Sequence, residues 1–120
     1  MITTETILDT TVHGTPAGNY DGSSQDWFSD AVKAADYYRG RGGIQTIQFN
    51  LSGFQGLMTL QATLSPVAED ANWFTVYELD GTVVPVTGIS SHTALGNFVW
   101  IRLEITDFQA GTINSVTITY

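Results

Sequence analysis

A chain of 120 residues with no cysteine holds one domain, large enough for a core without disulfide or thiolate–metal staples. A formal charge of −8, from 12 acids against 4 basic residues, opposes direct contact with nucleic acid or an anionic membrane. No apolar run approaches the roughly 18 residues of a membrane span.

Residues Ile2 to Val12 mix threonine with Ile7, Leu8 and Val12 and read as an extended arm or a first strand. The start, Met1-Ile2-Thr3-Thr4-Glu5, lacks the basic head and apolar centre of a signal peptide, so a complete protein made in the cytoplasm is expected. His13 to Asn19 is a turn-rich break, and Asp21 to Asp30 places Trp27 and Phe28 among polar residues. Ala31 to Tyr38 is too short for a secure helix and reads as a strand, with a one-turn helix as the alternative. Gly40-Arg41-Gly42-Gly43 then breaks the chain.

The clearest signal follows. Ile47, Phe49 and Leu51 alternate with polar residues, and after Gly53-Phe54-Gln55-Gly56 the alternation resumes through Met58, Leu60, Ala62 and Leu64. This predicts a β-hairpin with a glycine-flanked turn. Near the C-terminus Val99, Ile101, Leu103 and Ile105 alternate, Asp107-Phe108-Gln109-Ala110-Gly111 interrupts, and Ile113, Val116 and Ile118 follow. A second hairpin is expected there. Between them lie a strand from Phe74 to Leu79, a two-residue turn at Asp80-Gly81, and a return strand from Thr82 to Val86. Pro85 puts that return strand at an edge. Gly88 to Gly96, with His92, reads as a polar loop, and Trp73 is expected to plug one end of the core.

Seven or eight short strands with glycine-marked turns predict an all-β fold. The expected form is a single antiparallel β-sandwich, jelly-roll-like, spanning residues 21–120, with residues 1–20 as an extended N-terminal arm.

Chemistry is harder to find. His13 and His92 sit in Gly/Ser/Thr-rich segments, where solvent-exposed histidines are common, and neither has an evident orienting partner. Asp21, Asp26, Asp30 and Asp36 are spread along one segment, and nothing sets two of them across a groove, so solvated acids are the better reading. Asn19, Asp21 and Ser23 alternate like the opening ligands of a calcium loop, and Glu69-Asp70 is another acidic pair, but the EF-hand pattern fails. No enzyme, metal or cofactor is expected. Arg39-Gly-Arg41-Gly-Gly could converge on an anion, though pairing with the abundant acids fits better. Trp27, Tyr37, Tyr38, Trp73 and Trp100 could form a sugar-stacking platform. Trp100 alternates with Phe98 and Arg102 opposite the aliphatic face, and exposed aromatic and Arg side chains are typical interface anchors. A strand buried on both faces is the competing account.

The block Tyr37-Tyr38-Arg39-Gly40-Arg41-Gly42-Gly43-Ile44-Gln45-Thr46-Ile47-Gln48-Phe49 precedes Phe54-Gln55-Gly56, Leu60-Gln61-Ala62-Thr63-Leu64 and Asn72-Trp73-Phe74. With Asn97-Phe98-Val99-Trp100-Ile101-Arg102 and Gly111-Thr112-Ile113, it resembles small β-sandwich virion proteins of tailed bacteriophages, especially contractile-tailed and cyanobacterial phages. The resemblance covers roughly residues 26–120 and carries no catalytic signature. It implies a structural subunit of the virion, foremost a capsid decoration protein, or else a neck, tail or fibre subunit. Its implied partners are major capsid or tail and neck proteins, with homo-oligomers, often trimers, as the usual form. The expected contact residues are Trp27, Phe28, Tyr37, Tyr38, Arg39, Arg41, Trp100 and Arg102. A carbohydrate-binding module gripping a host glycan is the rival expectation, and a small hydrolase ranks far behind.

Overall fold

The alternation from Ile44 to Thr63 and from Trp100 to Thr119 is realised as two strands of 20 residues each. The computed structural model describes residues 3–37, 43–68 and 72–120. Its strands are β1 (Thr4–Leu8), β2 (Thr11–Val12), β3 (Trp27–Phe28), β4 (Val32–Lys33), β5 (Ile44–Thr63), β6 (Phe74–Asp80), β7 (Val86–Leu95) and β8 (Trp100–Thr119). One 3-10 turn, Ala35–Tyr37, follows β4, so the segment expected as a single strand divides into strand and turn. Among the described residues no helix is long and apolar enough to cross a membrane.

β5 and β8 pair antiparallel from Thr46 opposite Thr119 to Thr63 opposite Trp100. Twenty extended residues span about 66 Å at ~3.3 Å each, yet the longest dimension of the molecule is 40 Å. The ribbon must therefore fold over itself. It does so where the pairing slips, between Asn50 and Leu57. There Gly53, Asp107 and Gly111 take positive φ of 62°, 56° and 96°.

This corrects the two predicted hairpins. Gly53-Phe54-Gln55-Gly56 and Asp107 to Gly111 do not reverse the chain; they are facing corners of one bend, with Gln55 opposite Ala110. A glycine-flanked break in alternation announces a change of direction but not its angle. Each half-strand finds its partner on the other long strand.

Shorter strands line both edges of the folded ribbon. In one half, β1 and β2 pair with the C-terminal part of β8, and β7 pairs with the N-terminal part of β5. In the other, β3 and β4 pair with the start of β8, and β6 with the end of β5. The two halves form the faces of an antiparallel β-sandwich around one core. Ile47, Phe49, Leu51, Met58, Leu60, Ile101, Leu103, Ile105, Ile113, Val116 and Ile118 are all buried in it.

Asp80-Gly81 makes no hairpin either, since β6 and β7 each pair with β5 instead of each other. Asp80 accepts a hydrogen bond from the Thr82 amide at 2.9 Å, and the Gly81 amide donates to Gly56 at 2.8 Å. The return strand expected over Thr82 to Val86 starts only at Val86, and the expected loop Gly88–Gly96 is most of β7. An edge strand that buries little has no apolar alternation to betray it.

Residues 3–20 combine two short strands with a turn-rich stretch and do not stand off as an arm. β1 and β2 lie along β8, and Ile7, Leu8, Thr11 and Tyr20 are buried. The Thr/Ile mixture that suits an arm equally suits an edge strand, and β8 would otherwise present an unpaired edge.

Candidate functional site

Alternation on β8 points Ile101, Leu103 and Ile105 into the core and Trp100, Arg102 and Glu104 outward. Register sets Trp100 beside Thr63 and Lys33, Arg102 beside Gln61, and Glu104 beside Thr59 and Phe28. Trp73, just before β6, completes the row. The Arg102 guanidinium lies 4.4 Å from the Phe28 ring centroid and 4.3 Å from that of Trp73. Its Nε donates to Gln61 Oε1 at 2.8 Å. Partial burial lowers the Arg102 pKa, opposed by attraction to Glu104. An arginine stays charged under either influence.

Two residues along β8, about 7 Å away, Trp100 donates its indole N–H to the Pro66 carbonyl at 3.1 Å. Tyr37 meets the Trp100 ring edge-on at 5.2 Å, and Lys33 Nζ lies 4.8 Å from the Tyr37 centroid. Tyr37 is placed by the 3-10 turn, which buried Gln45 anchors. Gln45 Oε1 accepts from the Ala35 amide at 3.1 Å, and Nε2 donates to the Ala94 and Gly96 carbonyls at 3.1 and 3.2 Å. Each cation–aromatic contact is worth about 0.5–2 kcal/mol, so these side chains are held before any partner arrives. The result is a fixed platform of planar groups on the outer face.

Four of the eight expected contact residues, Phe28, Tyr37, Trp100 and Arg102, come together there. Tyr38, Arg39 and Arg41 lie outside the described residues, as do Glu69 and Asp70. Trp27 is the correction. At 6% exposure it belongs to the core, because on β3 it faces opposite to Phe28, which is 41% exposed. It packs against Tyr20 and Phe108 at 5.3 and 6.2 Å, and its indole N–H has no acceptor among the described residues. Trp73, expected either in a sugar-stacking platform or as a core plug, is half-buried on the platform. Only register across strands joins Gln61 to the site, and register is not legible in a single strand's pattern.

His92 lies half-buried on β7 rather than in a loop, while His13 is exposed in a turn as expected, and each has an aromatic neighbour. His92 stacks on Tyr77 at 4.1 Å with planes 13° apart, and His13 meets Phe108 edge-on at 5.1 Å. The calcium-like alternation is occupied internally: Asn19 Nδ2 donates to Asp30 and to the Phe28 carbonyl, and Asp21 Oδ1 accepts from the Ser23 and Ser24 amides at 2.8 and 2.7 Å. Among the described residues no three His, Asp or Glu side chains converge to hold a metal.

The Ser24 amide above all, then the Ser23 amide and Ser24 hydroxyl, hold the Asp21 pKa down at about 2 from its ordinary 3.8. A depressed carboxylate pKa means the turn's contribution to stability is complete above about 3.8 and fades as pH falls through about 2. A carboxyl-carbon NMR titration of Asp21 should inflect near pH 2; an inflection near 3.8 would remove the turn from the solution structure.

Beside β3 a cleft of about 330 Å³ opens between β1 and the Ala17–Asn19 loop, with Thr6, Asp9, Thr10 and Asp30 on its walls. Ile7, Leu8 and Val32 also line it, so its walls are mixed, and it contains none of the platform aromatics.

No protein-family model matches the chain, and no curated protein matches it. Among solved structures it is similar to chitosan-binding module 1 of a chitosanase/glucanase from Paenibacillus sp. IK-5, with TM-score 0.49 and 18% identity over 98% of this chain and 92% of that one. A selenomethionine-labelled mutant of the same module gives TM-score 0.46 and 20% identity over 100% and 93%. The likeness concerns chain path, and no functional residue is carried across from it.

Proposed function

We infer that this chain is a non-catalytic recognition module that binds carbohydrate on the outer face of β8 and its neighbours. The observation that carries the reading is the Arg102 guanidinium held between Phe28 and Trp73, with the Trp100–Tyr37 pair one step along the strand. Sugar rings present C–H faces to aromatic rings and hydroxyls to planar polar groups, and Gln61, Arg102 and Glu104 supply the latter. The rigidity of the platform limits the side-chain entropy lost on binding.

Of the three tryptophans, Trp73 and Trp100 lie on the platform, whereas Trp27 is buried. Glycan binding should therefore change tryptophan fluorescence, and Trp100→Ala should weaken binding at least tenfold with the far-UV circular dichroism unchanged. The probes are an array of neutral glucans, chitooligosaccharides and bacterial surface glycans, followed by fluorescence titration of any hit. Silence across the array, or a hit indifferent to Trp100→Ala and Arg102→Ala, would sink the assignment.

A second reading keeps the platform and changes its partner: a structural subunit of a tailed-phage virion, foremost on the capsid. Trp, Tyr and Arg side chains of this kind are typical anchors at protein interfaces, which favours it. It requires density for the protein in a particle reconstruction, with Trp100 and Arg102 covered by a neighbour.

A further inference from the structure

The longest open edge of the sandwich is β7. It pairs with β5 on one side, from Ile44 opposite Leu95 to Phe54 opposite Val86, and among the described residues no strand pairs with its other side. Natural proteins defend such edges with charge, proline or brevity. The other edges here carry those defences: β3 and β4 are two residues long, β1 holds Glu5 and a register slip, and β6 holds Glu78 and Asp80. β7, Val-Thr-Gly-Ile-Ser-Ser-His-Thr-Ala-Leu, has neither proline nor a formally charged residue over its 10 positions.

The outer face beside this edge is also free of charge. One row runs Thr4, Thr119, Thr46, Thr93 across four strands, and the next runs Thr6, Thr117, Gln48, Ser91. Hydroxyls pair sideways within the first row, Thr4 with Thr119 and Thr46 with Thr93, each at 3.0 Å. At its margin Ile44, Ile89 and Leu95 are 52%, 68% and 75% exposed.

We propose that the free edge of β7 pairs antiparallel with β7 of a second copy, joining two sandwiches through one continuous sheet. An exposed row of backbone donors and acceptors is completed by another strand, and an identical strand run antiparallel matches it about a two-fold axis. Charge limits where two copies can meet. Each carries −8, and the β7 edge is a place where they can approach with no carboxylate opposite another. The register that covers the exposed apolar groups sets Ile89 against Leu95 of the second copy. Ser91 then lies opposite Thr93, and His92 lies on the axis.

Light scattering on the full chain should give a mass twice the 13.0 kDa of the monomer at micromolar concentrations. Ile89→Lys replaces an exposed side chain and puts positive charge on both sides of the seam, so it should raise the dimer dissociation constant at least tenfold with the far-UV circular dichroism unchanged. The chain has no cysteine, which makes a register test clean. Directly opposed residues sit about 4.5–5.5 Å apart between Cα atoms, within disulfide reach. His92→Cys should therefore cross-link under mild oxidation, and Ser90→Cys, two positions off the axis, should not. A monomer at all concentrations, a trimer, a dimer indifferent to Ile89→Lys, or cross-linking at Ser90 in place of His92 would each overturn the proposal.

Discussion

Phe108→Ala should lower the unfolding free energy by about 3–5 kcal/mol, measurable by chemical denaturation. Phe108 comes from the β8 corner and Phe54 from the β5 corner, both fully buried, with ring centroids 5.7 Å apart. Around the same ring lie Tyr20 at 5.2 Å and His13 at 5.1 Å. Removing the ring takes the common neighbour from side chains that arrive from separate segments. The corner backbone, held by register on both long strands, has little freedom to collapse into the space. Hence the upper part of the range is expected, with the loss of Tyr20 and Trp27 ordering visible in near-UV circular dichroism. A cost under about 1.5 kcal/mol, typical of well-tolerated hydrophobic swaps, would mean that the two corners do not meet through their phenylalanines.

That Phe–Phe contact explains what the sequence conveyed and what it withheld. Period-two alternation marks the inward face of β5 and β8 almost residue by residue, because strands covered on one side must alternate. The similarity of Phe54-Gln55-Gly56 to Phe108-Gln109-Ala110-Gly111 was visible too. Its meaning was not, since two facing corners and two separate turns leave the same local trace. Gly88 to Leu95 reads as a loop because β7 buries mainly Ala94 and leaves most of its side chains exposed. Tyr20 gave no periodic signal, sitting alone after a turn-rich break, yet it is 1% exposed and its hydroxyl accepts from the Gly14 amide.

On the outer face the parity of Trp100 and Arg102 was legible, and with it half of the platform. Phe28 could be placed outward only once Trp27 was known to point in, since a two-residue strand has no period to read. Gln61 reaches Arg102 from β5 by register, and Trp73 reaches it from the segment before β6. The cation–aromatic row is thus a tertiary feature assembled from β3, β8, β5 and the approach to β6.

Gly111→Ala should cost more than about 4 kcal/mol or prevent folding, whereas Gly53→Ala at the same bend should cost about 1–2 kcal/mol. Both glycines have positive φ, at 96° and 62°, so both substitutions force a side chain into a left-handed backbone. They differ in what surrounds them. A Cβ on Gly53 would meet nothing within 4 Å, while one on Gly111 would strike the Gly53 carbonyl and come within 2.7 Å of the Phe54 Cα. Those atoms are backbone and cannot rotate away. To admit a methyl group the two corners must separate, and separation pulls Phe54 from Phe108. The Gly111 carbonyl also accepts from the His13 amide at 3.0 Å, so the displacement reaches the N-terminal segment along β8. Comparing the two variants separates backbone strain, which they share, from the close approach of β5 to β8, which only Gly111 senses. Equal losses would leave strain as the sole cost and would contradict the close crossing of the strands. A much larger loss at Gly111 would establish that crossing as what lets a 20-residue ribbon close into a sandwich.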